Sequence, residues 1–562
     1  MSQPPVIAIG LDAADPTVVE QWLAAGHLPN LQRLKAQGAY GRLTNLDYHK
    51  AETPWTTFLT GCLPDKTGYW APYRLQPGTY GIQEVQAYDY REYRPFYTVH
   101  PQYKVAAFDI PQSVLDESLD GLQVLAWGAH SPQTPSHSLP EQALAEIQTT
   151  HGRHPALHRD HGDWWDGAYL ERLHRSLLDG LKKRVAICKD LLQRERWDLF
   201  LTIFGETHSA GHDLWYLSQP DHPLHGTRAA AFSDGDPMLD IFKATDRAIG
   251  EILEAAPADA QVVVFAAHGS GNNTTDVTSM FFLPEFLYRF SFPGKAMFSA
   301  GKAGRRVPPM VTAPRRKTWT GEIWQRKCEK NPLKYLLKQA LPTRLYPTLD
   351  RWLGAAPDNI ASPDELRAQG NALFWQPAMW YERLWPQMKA FAIPSFSEGY
   401  IRLNIAGREP HGIVPAAEYD ALCEELIQEL TQLVNPRTGK PIVKKVVRTR
   451  QSPMEENPKL SDADLVVVWA ETPADVVDHP TYGRIGPVPY RRTGSHRERG
   501  FIIANSEHIA AGDTLAGGHG VDIAPTLLGL MGAPIPDYMD GKPLLGAHSQ
   551  APVAASTRAT HG

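Results

Sequence analysis

Short apolar runs alternate with stretches of helical periodicity along much of the chain. Val6–Gly10 is such a run, bounded by prolines and by the acidic turn Leu11-Asp-Ala-Ala-Asp-Pro16, and reads as a strand buried on both faces. Residues 18–25 predict a short helix stopped by Gly26. Asn30–Gln37 predicts a second, with Leu31 and Leu34 on one face and Gly38 as its stop. Residues 39–46 then read as a strand. The rhythm returns in strands over 198–204, 261–266, 464–469 and 501–504, and in helices over 237–255 and 523–531. Strand and helix in alternation predict an α/β fold, a mostly parallel sheet with helices on both faces.

Two stretches break the rhythm. Residues 65–185 are rich in Tyr, Trp, His and Pro; residues 281–390 are rich in Pro, Arg and Trp. Both read as insertions, a lid and a cap, between core segments 1–64, 186–280 and 391–545. Residues 546–562 read as a disordered tail. In the lid, His151, His154, His158 and His161 have helical spacing, but Gly152, Pro155 and Gly162 interrupt it, which predicts an exposed loop.

Composition narrows the function. Fifty-six basic against 62 acidic residues give a net charge of −6, without the basic excess of a nucleic-acid binder. No run of 18 apolar residues and no basic leader with an apolar core occurs, so neither a membrane span nor a signal peptide is expected, and the cytoplasm is the expected compartment. Four scattered cysteines without a CxxC pair exclude a cysteine zinc site, so a metal here needs imidazole and carboxylate. There are 22 histidines.

In open α/β sheets ligands bind beyond the carboxyl ends of the strands. Asp12 follows the first strand; Glu206, His208 and His212 follow the strand ending at Phe204; His268 follows the strand ending at Ala266; His519 precedes the last helix. One Asp, one Glu and four His at such positions match the ligand chemistry of zinc, with manganese or iron as alternatives. Each residue alone has a plainer reading: an exposed helix face for the His208–His212 pair, a loop histidine for His268, a helix cap for Asp12.

The motifs Ile9-Gly-Leu-Asp12, Leu28-Pro-Asn-Leu-Gln-Arg-Leu34, Gly41-Arg-Leu43, Trp55-Thr-Thr-Phe-Leu-Thr-Gly61, Gly399-Tyr-Ile-Arg-Leu-Asn404, Gly494-Ser-His-Arg497 and Asp522-Ile-Ala-Pro-Thr526 resemble the alkaline phosphatase superfamily, in its type I phosphodiesterase/nucleotide pyrophosphatase-like branch. The resemblance implies a three-layer α/β/α sandwich and a two-metal phosphoesterase with a Thr or Ser nucleophile. Asp12, His212, His268 and His519 match family metal ligands. Three positions depart from the pattern. His208 and Ala267 stand where the family has Asp. The nucleophile position, counted without a gap, is Ala51; a gap puts Thr53 there, with Glu52 as a neighbouring ligand or base.

These departures predict one site built from His208, His212 and His519, and a second, weaker one of Asp12 and His268 filled in by Glu52, Glu206 or Asn272. The expected activity is a metal-dependent hydrolase of phosphate esters or phosphodiesters, with metal-bound water as nucleophile in place of a side-chain hydroxyl. Arg402, Arg408, Arg497, Asn272 and His496 are the expected contacts to a small, phosphorylated anion. Two other readings stay open: non-phosphoryl chemistry on the same scaffold (a lyase or tailoring step), and a non-catalytic binding protein.

Overall fold

The computed structural model describes residues 3–50, 53–85, 92–128, 134–160, 162–227, 232, 235–298, 301–329, 331–354, 360–455, 457–507 and 509–545. Ala51, Glu52, His161 and the tail 546–562 lie outside the described residues.

The core is a ten-stranded sheet built from β1 (Val6–Leu11), β2 (Ala39–Thr44), β3 (Lys104–Ile110), β4 (Asp120–Leu125), β5 (His137–Leu139), β6 (Leu199–Phe204), β7 (Gln261–Ala266) and, further along, Gly500–Asn505, Asp513–Thr514 and Gly518–His519. From the edge strand Asp513–Thr514 the order runs through β2, Gly500–Asn505, β7, β1, β6, β3 and β4 to β5. β1 pairs in parallel with β6 and β7; Gly500–Asn505 is antiparallel to both of its neighbours.

Both faces of β1 are covered. Ile7, Ile9 and Leu11 pack with Trp22, Leu31, Leu181 and Ile241; Val6 and Ala8 pack with Phe58, Leu59 and Leu527 on the other side. The period-two alternation of a strand thus feeds two helix layers, and the molecule is the three-layer sandwich expected. One layer holds α1 (Pro16–Ala24), α2 (Pro29–Gln37), α4 (Gly167–Arg194) and α6 (Pro237–Glu254); the other holds α3 (Thr53–Thr60) and α7 (Ile523–Leu530). Asp15 caps α1, its carboxylate accepting the Thr17 N–H at 2.9 Å, and this leaves Asp12 for other work.

Residues 65–185 do more than cover the sheet. They supply β3, β4 and β5, and most of α4, whose Leu173, Leu177, Leu181 and Val185 recur at helical spacing and are buried. The aromatic richness of the stretch hid strands such as Lys104–Ile110. Among the described residues of 281–390 the regular structure is helical, apart from one isolated bridge and a last strand beginning at Ala390, and 292–318 is irregular. A second, antiparallel sheet follows, ordered Ala390–Ile393, Gly399–Leu403, Leu465–Trp469, Val443–Arg448. Among the described residues no helix is long and apolar enough to cross a membrane.

Candidate metal centre

Three chain segments meet at the carboxyl end of β6. The strand passes through Gly205 straight into α5 (Glu206–Asp213), so His208 and His212 lie one turn apart on one face. Beyond β7 the chain forms β8 (Gly269–Asn272), which pairs antiparallel with β9 (Gly494–Arg497) in the register Ser270↔His496. That pairing delivers His496 to the two helical histidines. The three Nε2 atoms form a triangle with sides of 3.1, 3.1 and 3.2 Å.

The outer nitrogens fix the tautomers. His212 Nδ1–H donates to the Gly494 carbonyl at 2.7 Å, and His496 Nδ1–H donates to the Lys50 carbonyl at 3.1 Å. A carbonyl only accepts, so in the neutral rings Nε2 carries the lone pair. The His212 and His496 lone pairs, 3.1 Å apart, repel unless a proton or a cation stands between them. A tetrahedral zinc with ordinary Zn–N bonds sets its nitrogens about 3.3 Å apart. The donor set and its spacing therefore fit a three-imidazole metal site with one coordination position left open. The carbonyl contacts are the supporting hydrogen bonds that metal-binding imidazoles need.

Gly494 makes this approach possible. A Cβ built there would stand 1.9 Å from the Gly211 carbonyl oxygen, so only glycine lets β9 run against α5.

Asp12 and His268 form a second pair beside the first. His268 Nε2 is 3.2 Å from Asp12 Oδ1, Trp55 Nε1–H donates to that same oxygen at 3.1 Å, and the His268 and His496 rings are 4.6 Å apart. Both residues are buried.

Arg492 reaches the imidazoles from the other side. Its Nη1 lies 3.1 Å from His212 Nε2, while its Nε and Nη2 donate to the two carboxylate oxygens of Asp276 at 2.8 and 3.0 Å. A half-neutralised guanidinium at a metal site is suited to an anion. Asp213, behind His212, accepts from Tyr169 OH at 2.9 Å; burial first, then Asp160, push its carboxyl up to about 7.

Several expected site residues have other duties. Glu206 is turned into the core: Arg184 Nε donates to both its oxygens at 3.0 and 3.1 Å, and His154 Nε2 is 3.2 Å away, so it is not brought to the imidazoles. His154 is accordingly buried, against the exposed loop expected for it, whereas His158 is exposed. His519 caps the turn Gly520–Asp522, its Nδ1 accepting the Val521 N–H at 3.1 Å, and His496 stands in the triad where His519 was expected.

The expected anion contacts are also spoken for. Arg408 forks onto Asp464 at 2.7 Å with both terminal nitrogens, and Arg402 donates to Glu409 at 2.6 Å. Arg497 donates to the Asn272 and His496 carbonyls and so ties β8 to β9. The Asn272 side chain bridges Trp215 and Asp221. Thr53 opens α3, its hydroxyl donating to the Trp70 carbonyl at 3.4 Å. Ala51 and Glu52 lie outside the described residues. Sequence reasoning missed Arg492 and Asp276, and quoted Gly494 in a motif without its packing role; the Arg491-Arg492 pair just before the Gly494-Ser-His motif was the available signal.

A family model described as Type I phosphodiesterase / nucleotide pyrophosphatase matches residues 6–365. No curated protein matches the chain. Among solved structures, phosphonoacetate hydrolase from Sinorhizobium meliloti 1021 in complex with phosphonoformate aligns at 14% identity over 95% of this chain and 96% of that chain, with a TM-score of 0.45. The same enzyme in complex with phosphonoacetate aligns at 14% identity over the same shares, with a TM-score of 0.44.

Proposed function

The chain belongs to the type I phosphodiesterase/nucleotide pyrophosphatase family of the alkaline phosphatase superfamily, and on that premise we propose that it is a metal-dependent hydrolase of small phosphate esters or phosphodiesters, working without a side-chain nucleophile. The observation that carries the reading is the convergence of three Nε2 atoms from His208, His212 and His496. A divalent cation bound there, zinc first and manganese or iron as alternatives, supplies Lewis acidity: it acidifies water and stabilises charge on phosphoryl oxygens.

The chain's own residues do the rest. The Gly494 and Lys50 carbonyls hold two imidazoles in the ligating tautomer. Arg492, kept in place by Asp276, presents a fixed positive charge to a phosphoryl oxygen and needs no reorganisation as charge develops. Asp12 and His268 offer one oxygen and one nitrogen 3.2 Å apart, a partial second site. Trp55 fixes the Asp12 carboxylate.

The test is turnover of nitrophenyl phosphate mono- and diesters by purified protein supplied with zinc, manganese or iron. The reading expects hydrolysis that chelator abolishes and that survives Thr53→Ala. Loss of turnover in Thr53→Ala, with metal retained, makes Thr53 the nucleophile instead. Bound metal without turnover of any ester moves the scaffold to non-phosphoryl chemistry. Failure to bind any metal removes the reading altogether.

A further inference from the structure

The cap carries a helical hairpin whose polarity is inverted. In the helix Pro332–Ala340, Lys334 and Lys338 are buried, whereas Leu333, Tyr335 and Leu336 face outward, Leu336 with 64% of its surface exposed. The lysines point at the following helix, Tyr346–Leu353. Lys334 pairs with Asp350 and Glu329 and donates to the Gly354 carbonyl at 2.8 Å; Lys338 pairs with Glu329 at 3.2 Å, and its own carbonyl accepts from Tyr346 OH. These contacts run the two helices antiparallel, with Trp352 at the Leu333 end and Leu345 at the Ala340 end. Trp352 is 83% exposed and Leu345 40%. A chain that buries its lysines and presents Leu and Trp to water has an apolar face meant to be covered.

Beside the hairpin turn lies a cleft of about 570 Å³ lined by five cations, Arg315, Arg316, Lys317, Arg344 and Arg367, with Asp364 the one acid among its described residues. Arg351 adds a further exposed cation on the second helix. The apolar face therefore has a strongly basic flank.

We propose that this face of the cap docks on an anionic lipid bilayer, the leucines and Trp352 entering the boundary between headgroups and acyl chains while the basic cleft takes anionic headgroups. An apolar helix face with Trp and Leu, flanked by Arg and Lys, is what the surface of such a membrane attracts. A second copy of the chain is the poorer occupant: a two-fold contact through the hairpin would bring two strongly basic flanks to one interface, like charge beside like.

The experiment is co-sedimentation of the full chain with vesicles of phosphatidylcholine alone and of phosphatidylcholine mixed with phosphatidylserine. The expected result is binding to the mixed vesicles that weakens as salt rises. Leu336→Glu with Trp352→Ser should lower it at least about tenfold, and Arg344→Glu about fivefold, each with an unchanged melting temperature. Arg344 is exposed, so Arg344→Glu keeps the test open if the double variant folds poorly. Three results overturn the proposal: no sedimentation with anionic vesicles at low salt, variants that bind like the parent, or a lipid-free dimer that Leu336→Glu dissolves. Vesicle binding is read without turnover, so its outcome is independent of the hydrolase reading.

Discussion

The Nε2 atoms of His208 and His496 stand 3.1 Å apart although 288 positions separate the residues in sequence. His496 makes that meeting because β9 pairs with β8, and His519 does not, because it is engaged as a cap. The two histidines should therefore separate in a metal assay. Purified protein should hold about one tightly bound ion at the three-imidazole site. His208→Ala and His496→Ala should each lose it, with a lower melting temperature that no longer responds to chelator, and His519→Ala should retain it. Elemental analysis of the three variants decides the matter. Equal loss in His519→Ala would return that residue to the site.

Arg492 is the cation that His212 and Asp276 share between them. Replacing it by Ala would remove the charge proposed to meet substrate and would leave Asp276 buried without its guanidinium partner. Arg492→Lys keeps the charge but not the fork. For a nitrophenyl phosphodiester, kcat/KM should fall about thirtyfold in Arg492→Lys, on the order of 2 kcal/mol. Arg402→Lys, whose partner is Glu409, should leave kcat/KM unchanged.

How much of this was legible in the sequence follows the range of the interactions. Strand identity and the His208–His212 pair are local: β6 is six apolar-dominated residues, and four positions make one helical turn. The rule that strand ends deliver ligands also pointed to Asp12 and His268, which the fold brings together as a buried pair beside His496. It misassigned Glu206, which also sits at a strand end. The deciding partner, Arg184, is on a helix whose packing no local pattern reports. His496 was singled out for its motif, as an anion contact. Its place among the three imidazoles depends on the register Ser270↔His496, a long-range pairing between segments with few apolar residues. Arg402 and Arg408 looked available for phosphate because their acids, Glu409 and Asp464, are partners only in the folded second sheet.

Arg184, Glu206 and Asp109 form an ion cluster with no solvent exposure. Glu206 and Asp109 share the one guanidinium of Arg184, and breaking a buried ion pair by removing one partner typically costs 3–5 kcal/mol. Glu206→Gln keeps the shape and removes only the charge, so denaturant unfolding should show a loss of about 3 kcal/mol or more with the metal content intact. Were Glu206 a metal ligand, the same variant would lose metal first.

His222 couples folding to pH. Its Nε2–H donates to the Thr493 carbonyl at 3.1 Å and its Nδ1 accepts the Leu224 N–H at 3.0 Å, so the neutral ring is fully used. Burial holds its pKa down at about 4, from an ordinary 6.5. Between those values the unfolded chain binds a proton that the folded chain refuses. Stability present above pH 6.5 is then lost as pH falls towards 4, by on the order of 3 kcal/mol from this residue. Denaturant midpoints at pH 7 and pH 5 should differ less in His222→Gln than in the parent; an unchanged difference would assign the acid sensitivity elsewhere.

Gly494 offers the strictest test of the site's construction. Its absent Cβ leaves room for the Gly211 carbonyl, whose oxygen a methyl group would meet at 1.9 Å, and the nearest side-chain atom, Trp215 Cβ, stands at 3.1 Å. The first of these is backbone and cannot swing aside as a side-chain end can. Gly494→Ala must therefore push β9 away from α5. The Gly494 carbonyl that orients His212 moves with it, and so does His496, two residues on. Overpacking of this kind costs about 1–3 kcal/mol, too little to unfold a domain of ordinary stability. Losing an orienting hydrogen bond to a metal-bound imidazole typically costs 10–100-fold in metal affinity, and here two ligands shift together. Metal affinity should fall by about 100-fold while the chain stays folded. Gly439→Ala is the matched control: its Cβ meets nothing within 4 Å, though its φ is +72°, so it carries backbone strain without touching the site. A Gly494→Ala protein that binds metal as tightly as the Gly439→Ala control would show that the imidazole triad does not depend on this contact.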